Sequence, residues 1–392
     1  MRHASILVLL LGVGCDNSNG STSGEDSSAD TPGDPVPLDQ GDPVDTNFEI
    51  ETITELTQPW AMTFLPDGQL LVTQKTGEML LVTQSGEQSP ISGVPDIAYG
   101  GQGGLGDVIL HPDFEDNGFI YLSYATAGGG SVRGAAVARM QLDVPGRALS
   151  GLEVIWQQDN QINGAGHYGH RMVFDDDGYL FISSGDRQML SPAQDTRDNL
   201  GAIVRLNDDG SVPSDNPFAS EGGETAQIWS YGHRNPLGLA LDAEGVLWEH
   251  EMGPRGGDEF QRIEMGQNYG WPTVSNGDHY DGRDIPDHSD DDEFRAPEES
   301  WNPSISPAGL IIYTGELFPS WRGKAIMGGL SGEAIIWVTF ACAEDGRDVC
   351  EAAQYDMGTR IREVEQGPDG AVWLLEDERN NVGGRLLKLT PN

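Results

Sequence analysis

One short pattern recurs six times between Phe48 and the C-terminus, and it constrains this 392-residue chain more than any other feature. Each copy is an apolar strand, an acidic or glycine turn, and a second apolar strand. The copies are MTFLPDGQLLVTQ (Met62 to Gln74), VILHPDFEDNGFIYLSYA (Val108 to Ala125), MVFDDDGYLFISSGD (Met172 to Asp186), LALDAEGVLWEHE (Leu239 to Glu251), the divergent LIIYTGELFPSWRGKAIMGGL (Leu310 to Leu330), and VEQGPDGAVWLLED (Val364 to Asp377). Asp-Gly or its equivalent between apolar runs is a strong local signal for a β-hairpin. The turn glycines Gly68, Gly118, Gly178, Gly245, Gly323 and Gly370 stand 50, 60, 67, 78 and 47 residues apart. Units of that size, one clear hairpin plus flanking strands, predict an all-β fold over 48–392: a six-bladed β-propeller with four-stranded antiparallel blades. A sandwich of about seven to nine strands would leave too much chain unused. The uneven spacing places long insertions in loops around one face of the central channel. Phe48 to Leu56 and Gly384 to Leu389 are expected to complete one blade between them, because an open ring would leave sheet edges bare.

Composition narrows the class of partner. Lys and Arg number 22 against 63 Asp and Glu, a net charge of −41. Such a surface repels phosphate, which excludes nucleic acid and makes a bare anionic bilayer a poor partner. No apolar run reaches the ~20 residues of a membrane span. Residues 1–15 read as a signal peptide: Arg2 and His3 precede the apolar Ile6 to Leu11. The ending Gly12-Val13-Gly14-Cys15 resembles a bacterial lipobox, departing from it at Gly12 where Leu is usual, so a lipid on Cys15 is the expected membrane link. A plain signal peptide with an incidental Cys is the alternative. Residues 16–47 are Ser, Gly, Asp, Pro and Thr with little that is apolar, and are expected to form a disordered tether. In an exported chain, Cys342 and Cys350 could bridge a loop or remain two free thiols.

Five loop segments carry residues a solvated turn does not need. In GGQGGLGD (Gly100 to Asp107), glycines let backbone approach a ligand while Gln102 reaches out. In NGAGHYGHRMVF (Asn163 to Phe174), His167 precedes a blade strand; a His can remove a proton near neutral pH, although taken alone it reads rather as a surface loop histidine. SYGHRNPLGLALD (Ser230 to Asp242) puts Arg234 and Asn235 on a rigid loop suited to polarising a carbonyl. EMGPRGGDEFQRIEMGQNYGWP (Glu251 to Pro272) offers the carbonyls of Gly253 and Pro254 with the carboxylates of Asp258 and Glu259, which are calcium-type donors without the spacing of an EF-hand. Arg360 and Arg362 alternate onto one face of a strand, a clamp for a carboxylated ligand.

Taken in order, GHRNP, GPRGGDE and NYGWP resemble the soluble PQQ-dependent aldose sugar dehydrogenases, the glucose/sorbosone dehydrogenase family, from about Phe48 to the C-terminus. The resemblance implies a six-bladed propeller that oxidises an aldose sugar at C1 to the lactone with PQQ and Ca2+ and hands the electrons to an unidentified acceptor. It implies His167 as the catalytic base and Arg234 and Asn235 at the reactive quinone carbonyl, with Arg234 stabilising the charge that develops there. Gln102, Tyr280, Arg360 and Arg362 would contact the cofactor. Gly253 and Pro254 would ligate the calcium beside PQQ, and Glu259 and Tyr269 a second, structural calcium. Three positions depart from the family. Ser331 stands where a Lys commonly pairs with a PQQ carboxylate. Gly166 replaces a polar residue, so His167 is expected to lack one orienting bond, and His170 stands where Gly is usual, which opens a His167/His170 metal pair. Two other classes remain open: a non-catalytic propeller that binds a sugar or protein, favoured by Ser331, and a calcium-dependent hydrolase or lactonase, favoured by the metal loop.

Overall fold

Leu70-Leu71-Val72 shows why the repeated strands are apolar at consecutive positions. Leu71 packs toward Leu105, Ile120 and Leu122 on one side, while Leu70 and Val72 pack toward Trp373 and Leu375 on the other. A strand sandwiched between two sheets buries both of its faces, so every side chain is apolar. The computed structural model of the chain, which describes residues 39, 41–289, 291, 293–342, 348–379 and 383–392, repeats this arrangement around a ring.

Six antiparallel blades result. The first comprises Pro59–Phe64, Leu70–Gln74, Glu78–Val82 and Gln88–Ile91. The second is built on Leu105–Leu110, Phe119–Ala127 and Val132–Asp143, with Ala148–Gln157 and the short Ile162–Asn163 both paired to the last of these. The third holds Gly169–Phe174, Leu180–Ser184, Ala202–Leu206 and Ile228–Tyr231. The fourth holds Pro236–Leu241, Leu247–Glu251, Asp258–Ile263 and Glu299–Trp301, and the fifth Pro307–Ile312, Ala325–Gly329, Ala334–Thr339 and Cys350–Asp356. The sixth joins Ile361–Gln366, Val372–Glu376 and Arg385–Pro391 to the N-terminal Phe48–Glu55. Phe48 pairs with Pro391 and Glu55 with Arg385, so the two ends close the ring as the sequence predicts.

The first strand of each blade lines the axis and packs against the first strands of its neighbours. Each has a register irregularity within its first few residues, as between Gly169 and Met172 or Pro236 and Gly238. Bulges of this kind re-aim the residues beside them. Pairing is antiparallel, so the start of a first strand and the end of the second open on the same face of the ring. The Asp-Gly turns lie on the opposite face.

Arg171 fills the axis. Its Nε donates to the Leu237 carbonyl (3.0 Å), one terminal nitrogen bonds both Asp107 (3.3 Å) and Glu363, and the guanidinium lies over the Trp60 ring at 4.2 Å. One side chain of the third blade thus touches the first, second, fourth and sixth. Asp107 also accepts from the Met172 amide (2.8 Å).

Two readings need a different boundary or a choice. The signal peptide, Cys15 and most of the tether lie outside the described residues. The end of the tether belongs to the folded body: Asp39 is buried against Lys324 and Thr339, Trp321 Nε1 donates to the Asp45 carbonyl (2.8 Å), and Val44 packs on the cluster around Trp321 and Trp337. Asp39 supplies the counter-charge for a fully buried lysine, and this overrides the polar composition of the segment. Cys342 and Cys350 form a disulfide.

Replacing Arg171 with Met should lower unfolding free energy by about 3–5 kcal/mol, because Asp107 and Glu363 are then buried without a cation. Urea denaturation at pH 7 measures this. A loss under about 1 kcal/mol would show that the axis does not depend on the charge.

Candidate active site

The loops predicted to carry chemistry converge because of their place in the blades. Gln102, His167, Arg234, Asn235 and Arg360 each lie just before, or within a few residues of, a first strand. They therefore reach the same end of the channel from four blades. A cavity of about 320 Å³ opens there, lined among others by Trp60, Gln102, Asn235, Met252, Arg360 and Arg362. A wider mouth adjoins it, with His167, Arg234, Gly253, Pro254, Tyr280 and Ser331 in its wall. A separate cavity of about 520 Å³ at the far end of the channel, below Arg171, holds none of the predicted site residues.

His167 is held at three points. Its amide donates to Gln102 Oε1 (2.6 Å), its carbonyl accepts from the Arg187 amide (3.2 Å), and its Nδ1 bonds Asp186 Oδ1 (2.7 Å). Asp186 is itself fixed by Trp271 Nε1 (2.8 Å) and the Gln188 amide (2.7 Å). The expectation that Gly166 costs His167 an orienting bond is therefore corrected: the bond comes from Asp186, two residues past the neighbouring strand. Gly166 instead leaves room for Gln188, whose amide carbon would lie 2.6 Å from a Cβ there. Burial moves the His167 pKa below its ordinary value, and the Arg234 charge adds to this against the pull of Asp186. Burial also works against the Asp186 carboxylate, but the His167 and Trp271 bonds outweigh it and hold its pKa low. The imidazole is thus neutral at pH 7, with Nδ1 occupied and Nε2 left for a ligand.

His170 turns away into the core. It stacks on Trp60 at 4.9 Å, bonds Ser123 Oγ through Nδ1 (2.7 Å), and sits over Gly106, where a Cβ would lie 2.0 Å from the ring. The His167/His170 metal pair does not form, since a left-handed backbone at both histidines sends their rings to different partners. Among the described residues the group with metal-ligand spacing is His233, Glu249 and Glu251.

Arg234 and Asn235 are anchored through their amides, both of which donate to Glu251 Oε2. The Arg234 guanidinium donates to the Met252 carbonyl (2.5 Å) and reaches the Tyr280 hydroxyl at 3.5 Å, while its Nε is buried without a partner. Tyr280 is 74% exposed and stands at the mouth rather than deep in the cavity. Arg360 and Arg362 share Asp377, at 2.7 Å and 2.8 Å. Burial opposes the Asp377 charge, yet the two guanidiniums keep its pKa low.

The predicted calcium donors cluster beside Arg234. Asp258 Oδ1 accepts from the Gly253 amide (2.9 Å), and burial raises its pKa to about 6. Burial and then the Glu251 charge push Glu259 well above the carboxylate range, and Glu249 likewise, with Glu249 Oε1 unpartnered. A small void touches Glu251, Gly253, Glu259, Tyr269 and Ser275. The Tyr269 hydroxyl is committed to the Arg262 carbonyl (2.6 Å) and the Glu264 amide (2.8 Å), so the carbonyl is the donor this residue can offer. Buried carboxylates that outnumber nearby cations suit a divalent ion.

Sequence reasoning missed Trp60, Asp186, Glu251 and Asp377 as site residues. A signal existed for Asp186, Glu251 and Asp377: each closes a second strand, in the runs ISSGD, WEHE and LLED.

The buried histidines predict a pH effect. The pKa of His170 falls to about 3 and that of His250 to about 4, burial being the main cause in both. Both lie below the ordinary 6.5, so their contribution to stability is complete above pH 6.5 and is lost as pH falls. Each costs up to about 1.4 kcal/mol per pH unit in that window. Buried carboxylates act with the opposite sign, so the effect is read as a difference. His170→Gln should show a shallower fall in unfolding free energy than wild type between pH 6.5 and 5.

Comparison with known proteins identifies the family and the fold. The Glucose / Sorbosone dehydrogenase family pattern matches residues 56–388. The chain is 39% identical over 360 residues to the aldose sugar dehydrogenase YliI of Escherichia coli K12, covering 89% of this chain and 94% of that one. The crystal structure of the soluble aldose sugar dehydrogenase of Escherichia coli in its apo form superposes with a TM-score of 0.82 at 37% identity, covering 88% of this chain and all of the other. Quinoprotein glucose dehydrogenase B of Acinetobacter calcoaceticus is 32% identical over 265 residues, 58% of this chain and 53% of its own.

Proposed function

The chain belongs to the glucose/sorbosone dehydrogenase family, and on that footing we propose that it oxidises aldose sugars at C1 to the lactone with PQQ and calcium. The observation that carries the reading is a neutral His167, oriented by Asp186, at the mouth of a cavity with Arg234 and Asn235 in one wall and Arg360 and Arg362 in another. The residues fit a tricarboxylate quinone: the arginine pair suits carboxylates, and the unpartnered Arg234 Nε suits a carbonyl oxygen. PQQ, when bound, supplies a two-electron acceptor for the C1 hydrogen as hydride.

The chain's own residues do the rest. His167 Nε2 takes the proton from the C1 hydroxyl, and Asp186 keeps the ring in the tautomer that can do so. Arg234 and Asn235 stabilise negative charge at the cofactor carbonyl, and their anchorage on Glu251 removes the need to reorganise. Arg360 and Arg362 hold the cofactor carboxylates; the amide nitrogen of Gln102 and the ring of Tyr280 complete the wall. Gly253 and Pro254 would hold the calcium beside the cofactor through their carbonyls. Glu259 and the Tyr269 carbonyl would hold the second. A lactonase has no use for the arginine pair.

We also propose that the chain is exported, with the Cys342–Cys350 disulfide suited to an oxidising compartment. Cys15 would carry a lipid, and electrons would pass to an acceptor outside the cytoplasm. Among the described residues no helix is long and apolar enough to cross a membrane.

Reconstituting purified protein with PQQ and calcium should give saturable binding and aldose-dependent dye reduction, abolished in His167→Ala. Asp186→Asn should lower kcat by about 10–100-fold with PQQ affinity unchanged. Failure of the wild type to bind micromolar PQQ would sink the dehydrogenase reading and favour a binding propeller.

A further inference from the structure

Three lysines occur in the whole chain, at 75, 324 and 388. Lys324 pairs with Asp39, and Lys388 with Asp369 at 2.7 Å. Lys75 forms no ion pair among the described residues; its ammonium donates to the Gly101 carbonyl at 2.5 Å. It lies in the wall of the same cavity as Arg360 and Arg362. Asp377 in the same wall lies close enough to act on the Lys75 charge but is not within ion-pair distance of the lysine.

Its position follows from the fold. In four blades residues just past the second strand face the site: Asp186 in the third, Met252 and Gly253 in the fourth, Leu330 and Ser331 in the fifth, Asp377 in the sixth. Pro59 pairs with Gln74 in the first blade as Pro307 pairs with Gly329 in the fifth. Lys75 and Ser331 therefore both lie just past a second strand at the same end of the channel, Lys75 one residue beyond its partner position and Ser331 two. The Ser331 hydroxyl is turned onto Ser306 Oγ (2.8 Å) and the Ser304 carbonyl (3.0 Å) and brings no charge.

Arg360 and Arg362 are both bound by Asp377, so the three groups sum to a single positive charge. Glu378 and Arg379, which also line the cavity, offset one another, so Lys75 adds one positive charge to the one left by the arginine pair and Asp377. Gly104 allows the lysine stem to pack close, since a Cβ there would lie 2.6 Å from Lys75 Cγ and 2.1 Å from its carbonyl. The ammonium is partly desolvated, and burial and then Arg362 lower its pKa. A carboxylate arriving in the cavity would relieve both.

We propose that Lys75 is a cofactor-binding residue that supplies, from the first blade, the cation missing at Ser331 in the fifth, by pairing with a carboxylate of PQQ. The inference rests on the function proposed above. The test is a PQQ titration of the calcium-loaded full chain, read by quenching of tryptophan fluorescence and by equilibrium dialysis, with no turnover required. Lys75→Met keeps the stem and removes the charge; it should raise the PQQ Kd by about 10–100-fold and flatten its salt dependence. Lys75→Arg should bind nearly as wild type. Ser331→Lys placed in the Lys75→Met background should recover affinity. Wild-type affinity in Lys75→Met would overturn the role of Lys75 and leave the dehydrogenase reading standing, whereas no PQQ binding by wild type would overturn both. Should Lys75→Met melt early, Lys75→Gln provides the same comparison.

Discussion

A single buried guanidinium organises the axis on which everything else is hung. Arg171 reaches into four other blades through a carbonyl, two carboxylates and an indole face. Its charge is indispensable locally, because Asp107 and Glu363 are buried and burial pushes both pKa values up, Glu363 to about 7. A buried pair of this kind is costly to break and contributes little over an apolar plug of the same shape. What it adds is directional: hydrogen bonds to named partners orient the second, fourth and sixth blades relative to the third, which dispersion between leucines does not. The ceiling of that node is the floor of the site, since Trp60 stacks on His170 and carries Arg171 on its ring.

The site is assembled from one position used repeatedly. Antiparallel pairing brings the start of each first strand beside the end of the second, and the bulge there turns side chains toward the channel. Blade three gives His167 and its partner Asp186 from those two places. Blade four gives Arg234 and Asn235 from the first and Glu251, Met252 and Gly253 from the second. Blade six gives Arg360 and Asp377. The pairings of His167 with Asp186, Arg234 with Glu251 and Arg360 with Asp377 are thus contacts within one blade, rigid by virtue of the sheet, and the cavity is the space between blades. Preorganisation of this sort needs no loop closure to bring base and polarising groups into place.

The electrostatics of the cavity run against those of the surface. The chain carries a net charge of −41, yet Lys75, Arg234, Arg360 and Arg362 gather around one opening. An anionic ligand is repelled by the protein at long range and attracted at short range, where salt screens the former far more than the latter. Beside Arg234 the imbalance is reversed, with Glu249, Glu251, Asp258 and Glu259 buried around one arginine. One wall suits an anion and the other a cation.

The sequence by itself determined the blades and their number, because an Asp-Gly turn between apolar runs is a local event whose energetics involve only residues close in the chain. It also determined ring closure, since the strand pattern at each end has no partner nearby and the edges must be satisfied. His167, Arg234, Asn235, Gln102 and the arginine pair were legible as unusual residues in loops, and the motif order GHRNP, GPRGGDE, NYGWP gave them roles. What was not legible was who holds them. Asp186 lies nineteen residues from His167, Asp377 reads as one more acid among many, and Asp39 reads as part of a tether although it is buried beside Lys324. His170 left a metal pair with His167 open until the fold placed it against Trp60. Only the tertiary structure decided these, because which carboxylate meets which cation is set by strand register and burial, and one side chain in sixty-three carries no mark of that in its neighbours along the chain.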